Sequence, residues 1–228
     1  AHEAGIRVIM LTGDNRLTAK AVSGQIGLGD NAIDGTELAK FSEKQFHEAV
    51  MNCNVFARVS PEQKFAILRH LKDLGISVAM TGDGVNDAPA LKQADVGIAM
   101  GIRGTDVAKE ASDIVLLDDN FATIVEAVRQ GRSVFDNLRK FVFFLLSNNF
   151  AEVLIVFITA LAGYIPLTPV MLLWVNLVTD GLPALALGAD APKPDVMSRK
   201  PRQRGEHIIS RKNAAQMAII STIFTAII

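Results

Sequence analysis

At 228 residues the chain can hold one domain with its own core and a further segment. A formal net charge of -1 lacks the basic excess that nucleic acid demands, and a mean hydropathy of +0.29 is high for a soluble protein. The single cysteine, Cys53, excludes an intrachain disulfide and a cysteine metal cluster, while His2, His47, His70 and His207 show no ligand spacing.

The chain opens on "AHEAGIRVIML", which reads as the tail of a helix entering a buried strand rather than as a cleavable signal. Residues 6–11 form a short apolar run ending at "TGDN", suited to a buried parallel strand. Helical spacing follows over 17–26 and stops at Gly27. "GDNAIDGTEL" is turn-rich, and Ser42 is placed to cap a helix to about Val50. "NVFARV" reads as a strand, and Pro61 opens a helix that ends near Gly75.

Three more strands are expected at "ISVAM", "VGIAM" and "DIVLL", the first stopping at "TGDGVNDAPALKQA". Alternating strands and helices predict a Rossmann-like α/β domain with one parallel sheet over about 1–120. Both TGD triplets fall at the carboxyl ends of strands, where such sheets bind ligands.

From Phe121 the pattern is continuously helical: a stalk over 121–140, then an apolar run over 141–164. "IPLTP" makes a turn, and a second apolar run covers 170–187. Lys193, Arg199, Lys200, Arg202, Arg204, Arg211 and Lys212 make the next loop basic, and 213–228 begins a further apolar helix. Positive charge flanks the outer ends of the hairpin and is absent from its turn, so the α/β part and the 191–212 loop are expected on the cytoplasmic side. The partner is a lipid bilayer, and both chain ends read as interior sequence of a longer protein.

Two groups of residues carry chemistry. In the first, the Thr12 hydroxyl can donate to a phosphoryl oxygen, and Lys64 supplies a point charge. Asp83 and Asp87 offer hard oxygens suited to Mg²⁺, which keeps several waters and uses few protein carboxylates. Turn and cap chemistry alone explains one TGD, but not "TGDGVNDAPAL" after an apolar strand with Lys64 upstream. The second group lies in the apolar runs. Asn149 and Glu152 are spaced i, i+3, and Asn176, Thr179 and Asp180 are spaced i, i+3, i+4, each set on one helix face. Gly181 and Pro183 are expected to interrupt the second helix and free carbonyls toward a polar cavity. Interhelical hydrogen bonding explains a single Asn. Five oxygen-bearing residues, two of them acidic, fit a Ca²⁺ shell of six to eight oxygens better.

The strings "MLTGDN", "FARVSPEQK" and "AMTGDGVNDAPALKQADVGIAMG" resemble the phosphorylation domain of P-type cation ATPases, members of the haloacid-dehalogenase superfamily. The resemblance extends across essentially the whole chain. It implies that Asp83 helps bind Mg²⁺ with Asp87 in support. It implies also that Thr12, Gly13, Asp14, Arg58, Lys64 and Asn86 contact ATP or the phosphoryl group. The second group is similar to the fifth and sixth membrane helices of sarco/endoplasmic-reticulum-type calcium pumps. That similarity makes Asn149, Glu152, Asn176, Thr179 and Asp180 ligands of a transported Ca²⁺, whereas sodium–potassium pumps normally carry Asp where Asn176 stands. One departure matters. The family's phosphorylated aspartate sits in DKTGT, a string this sequence does not contain, so the nucleophile is expected from a missing N-terminal part of the same protein. The expected activity is an ATP-driven cation pump running an aspartyl-phosphate cycle, with the isolated chain inactive. The alternatives are a pump for Na⁺, H⁺ or Mn²⁺ and a haloacid-dehalogenase-type phosphatase.

Overall fold

The computed structural model describes residues 1–165, 167–202 and 205–227. Pro166 of the expected turn and Arg204 of the basic loop lie outside the described residues. The chain divides into two units, Ala1–Val125 and Glu126–Ile228.

In the first unit the strands are all parallel but form two sheets, not the one expected. The first orders β1 (Met10–Leu11), β3 (Val55–Ala57) and β2 (Ala32–Asp34), with β3 in the centre. The second orders β4 (Ala79–Gly82), β5 (Val96–Met100) and β6 (Ile114–Leu116), with β5 in the centre. β1 and β4 each pair on one side only, so no strand ladder joins the sheets among the described residues. Both central strands are almost wholly apolar because both faces are covered: Val55, Phe56 and Ala57 are all 0% exposed.

Local chemistry starts the helices. Ser42 and Ser60 each form a capping box, with Gln45 and Gln63, at the heads of α3 (Glu43–Asn52) and α4 (Pro61–Asp73). Asn15 caps α1 (Arg16–Gln25) by accepting from the Leu17 and Thr18 amides.

The turn-rich reading of residues 29–38 is corrected, for they hold β2 and a one-turn helix, α2 (Gly35–Leu38). No local pattern marks β2. It forms because Ala32, fully buried, pairs with Val55. α5 (Ala88–Gln93) and α6 (Asp106–Glu110), the latter capped by Thr105, were also not anticipated. β4 begins three residues later than "ISVAM" suggests and runs into the TG of TGD.

The second unit is helical. α7 (Phe121–Leu161) starts at the boundary, where Asn120 accepts from the Ala122 amide and Asp118 from the Thr123 hydroxyl. Its 41 residues extend about 60 Å, twice an apolar bilayer thickness. Residues 121–140 and the first apolar run thus lie in one continuous helix. The second apolar helix is built as α8 (Pro169–Trp174), a π segment (Val175–Asp180) and α9 (Gly181–Gly188). α7 and Pro169–Gly188 are long and apolar enough to cross a membrane, with mean hydropathies of 2.1 and 1.7. α10 (Arg211–Ile227) follows.

The loop after α9 straps back onto α7. Asn137 donates to the Asp190 carbonyl at 2.6 Å, and Arg132 donates to the carbonyls of Val196 and Arg199. Arg199 bridges Asp195 and Asp136 at 2.8 and 2.5 Å, and both carboxylates hold its guanidinium pKa above the ordinary value.

Candidate functional site

In the first unit a cleft of about 530 Å³ opens beyond the carboxyl ends of β1 and β4. Thr12, Gly13, Asp14, Lys64, Asp83 and Asp87 all line it, although they come from three separate stretches of sequence. Thr12 and Asp14 form one small turn: the hydroxyl accepts the Asp14 amide and donates to its carboxylate, both at 3.0 Å.

Lys64, one turn into α4, donates to Asp87 Oδ1 at 2.7 Å, with side chains only 17% and 11% exposed. This approach depends on Gly82. A Cβ there would stand 2.6 Å from Asp87 Cβ, so no other residue leaves Asp87 room. Asp83 differs: exposed, it makes no side-chain hydrogen bond or ion pair among the described residues. An unpaired carboxylate and the second oxygen of Asp87, both on the wall of one cleft, are a donor set that fits Mg²⁺. Among the described residues no group of three His, Cys, Asp or Glu side chains comes together there.

Two expected contacts lie elsewhere. Arg58 and Asn86 are not on the cleft wall. Arg58 takes a left-handed backbone (φ 50°), donates its amide to the Asp14 carbonyl and turns its guanidinium toward Asp34 at 3.9 Å. Asn86 is exposed in the short 3-10 turn after Gly84.

Sequence reasoning missed Thr81, Arg103 and Asp119 on the wall. Asp119 also adopts positive φ (49°) and accepts the Ile102 and Arg103 amides. The Ile102 amide holds its carboxyl below the usual carboxylate range. Only Thr81, in the repeated TGD, carried a sequence signal.

In the second unit α7 and the π segment place carboxylates together. Asn176 donates to Glu152 Oε2 at 3.0 Å, and Asn148 donates to Asp180 Oδ1 at 3.0 Å. The other oxygens, Glu152 Oε1 and Asp180 Oδ2, are buried without a partner. Buried acceptors left unsatisfied are costly, and a hard cation is what two of them suit.

The five expected ligands are not all brought together. Asn149 is exposed and bonds to neither carboxylate, and Thr179 donates back to the Val175 carbonyl at 2.5 Å. Thr179 leaves the face because an i→i+5 winding packs more residues into each turn than α-geometry. Positions i and i+4, Asn176 and Asp180, then align, and i+3 swings aside. Gly181 and Pro183 themselves lie within α9; the interruption takes the form of a wide π turn just before them rather than a break.

Comparison with known proteins covers both parts. A family model described as haloacid dehalogenase-like hydrolase matches residues 1–95, and one described as cation transporting ATPase, C-terminus, matches 164–228. A calcium-transporting ATPase of Bacillus subtilis is 53% identical over 92% of this chain and 24% of its own length. One of Plasmodium falciparum is 52% identical over 97% of this chain and 20% of its own. The endoplasmic reticulum calcium ATPase of Aspergillus fumigatus is 52% identical over 90% and 22%. The chain thus spans about a quarter of the length of these relatives.

Proposed function

The chain belongs to the P-type cation-transporting ATPases, and from that premise we propose that it serves an ATP-driven pump whose cargo is Ca²⁺. Its first unit is the Mg²⁺-binding side of a phosphorylation site, and its second unit is one wall of the ion path. The observation that carries the cargo is the pair of buried, unpartnered oxygens Glu152 Oε1 and Asp180 Oδ2. They stand in helices apolar enough to cross a bilayer, where an ionisable side chain marks an ion pathway.

The phosphoryl chemistry follows from the cleft. ATP phosphorylates an aspartate supplied from elsewhere in the protein, since DKTGT is not in this sequence. Lys64, held rigid by Asp87, sets a positive charge toward the transferring group. Thr12 offers its hydroxyl, and Gly13 leaves room for an oxygen against bare backbone. Asp83 and the free oxygen of Asp87 would hold Mg²⁺, which neutralises phosphoryl charge when bound. Charge on the basic loop argues that this unit and residues 191–212 face the cytoplasm.

The test is Glu152→Gln in the full-length protein. Gln keeps the shape and one carbonyl oxygen but removes the charge. Phosphorylation from ATP should then need about 100-fold more Ca²⁺, equivalent to about 2.7 kcal/mol of binding, while phosphorylation from inorganic phosphate persists. An unchanged Ca²⁺ requirement refutes the assignment of the cargo.

A further inference from the structure

We propose that Asn148 is a positioning residue of this cation site, holding Asp180 so that one carboxylate oxygen stays free for the ion. The inference rests on the Ca²⁺ reading above and deepens it. Asn148 and Glu152 are i, i+4 on α7, hence neighbours on one face. The two helices exchange amides crosswise: Asn148 of α7 holds Asp180 Oδ1, and Asn176 of the π segment holds Glu152 Oε2. Each carboxylate keeps its second oxygen unpartnered and buried.

An amide suits this task better than a cation. A Lys or Arg donor would cancel the carboxylate charge, whereas an amide fixes the rotor and leaves both negative charges to the ion. Asp180 is only 4% exposed, so water has little access to replace the donor. Asn148 is partly buried against it, while its neighbour Asn149 is exposed. A residue that merely linked the helices would be indifferent to what Asp180 carries. A positioning residue acts through it.

The experiment compares Asn148→Ala, the near-isosteric Asn148→Leu, Asp180→Asn and the Asn148→Leu/Asp180→Asn double variant in the full-length protein. The readout is the Ca²⁺ needed for half-maximal phosphorylation from ATP, with phosphorylation from inorganic phosphate reporting an intact fold. Each Asn148 variant should raise the Ca²⁺ requirement about 10- to 100-fold, the range for partners that orient metal ligands. In the Asp180→Asn background, Asn148→Leu should add less than about 3-fold. An unchanged requirement in both Asn148 variants, full additivity, or loss of the inorganic-phosphate reaction in both overturns the proposal. If Asp180→Asn and Glu152→Gln leave the requirement unchanged too, the Ca²⁺ site itself falls. If they shift it and the Asn148 variants do not, only the positioning role falls.

Discussion

Asp83 and Asp87 share one loop yet stand in different surroundings. Asp87 is 8% exposed and tied to Lys64, while Asp83 is exposed and unpaired among the described residues. Asp83→Asn should therefore abolish Mg²⁺-dependent phosphorylation at ordinary Mg²⁺ while leaving the melting temperature of the domain unchanged. Lys64→Ala should do both kinds of damage. It removes charge from the proposed phosphoryl site and strands a buried carboxylate, costing about 1–3 kcal/mol of stability. Phosphoenzyme assays and thermal melts of the two variants, side by side, check this. Equal melting temperatures would show that the ion pair does not hold the cleft together.

Elements set the geometry in which those residues act. The head of α7 is held by Asp118, whose carboxyl is kept below the usual range by the Thr123 hydroxyl and the Asn120 amide. A depressed folded-state pKa contributes stability above the unfolded value of about 3.9 and loses it as pH falls through the folded value. Amides 120–123 should accordingly lose hydrogen-exchange protection as pH drops below about 4, and Asp118→Asn should weaken them at neutral pH. The π segment has its own cause. Pro183 has no N–H to give, and its ring crowds the carbonyl four residues earlier, that of Thr179. Pro183→Ala should let the turn relax toward α-geometry, which keeps Asp180 on the Asn176 face, returns Thr179 to it and shifts the Ca²⁺ requirement without loss of the inorganic-phosphate reaction. A Pro183→Ala protein with unaltered Ca²⁺ dependence would detach the wide turn from ion binding.

For the whole molecule the expectation is negative. Purified in detergent, the 228-residue chain should form no acid-stable phosphoenzyme from ATP, because no DKTGT aspartate is in it. Radiolabel appearing on this chain alone would contradict the residue roles given to the cleft. What is local could be read from the sequence: the cap at Ser42, the helix start at Pro61, the central strands β3 and β5, the long helix from Phe121 and both TGD loops. Each rests on a pattern a few residues long, a cap, an apolar run or a helical period, so it is legible without a partner. Packing between distant segments set the rest. β2 exists because β3 lies beside it, and the division into two sheets is a matter of which strand edges meet. Asp119 and Arg103 reach the cleft only through the path of their loops, while Arg58 and Asn86 are carried away from it. In the membrane part, α-helical arithmetic placed Thr179 with Asp180, and no spacing within α7 could give Asn148 its partner on another helix. The π winding undid the first, and the facing helix supplied the second. Spacing along a chain states which residues share a face only when the winding is known, and winding depends on what the helix packs against.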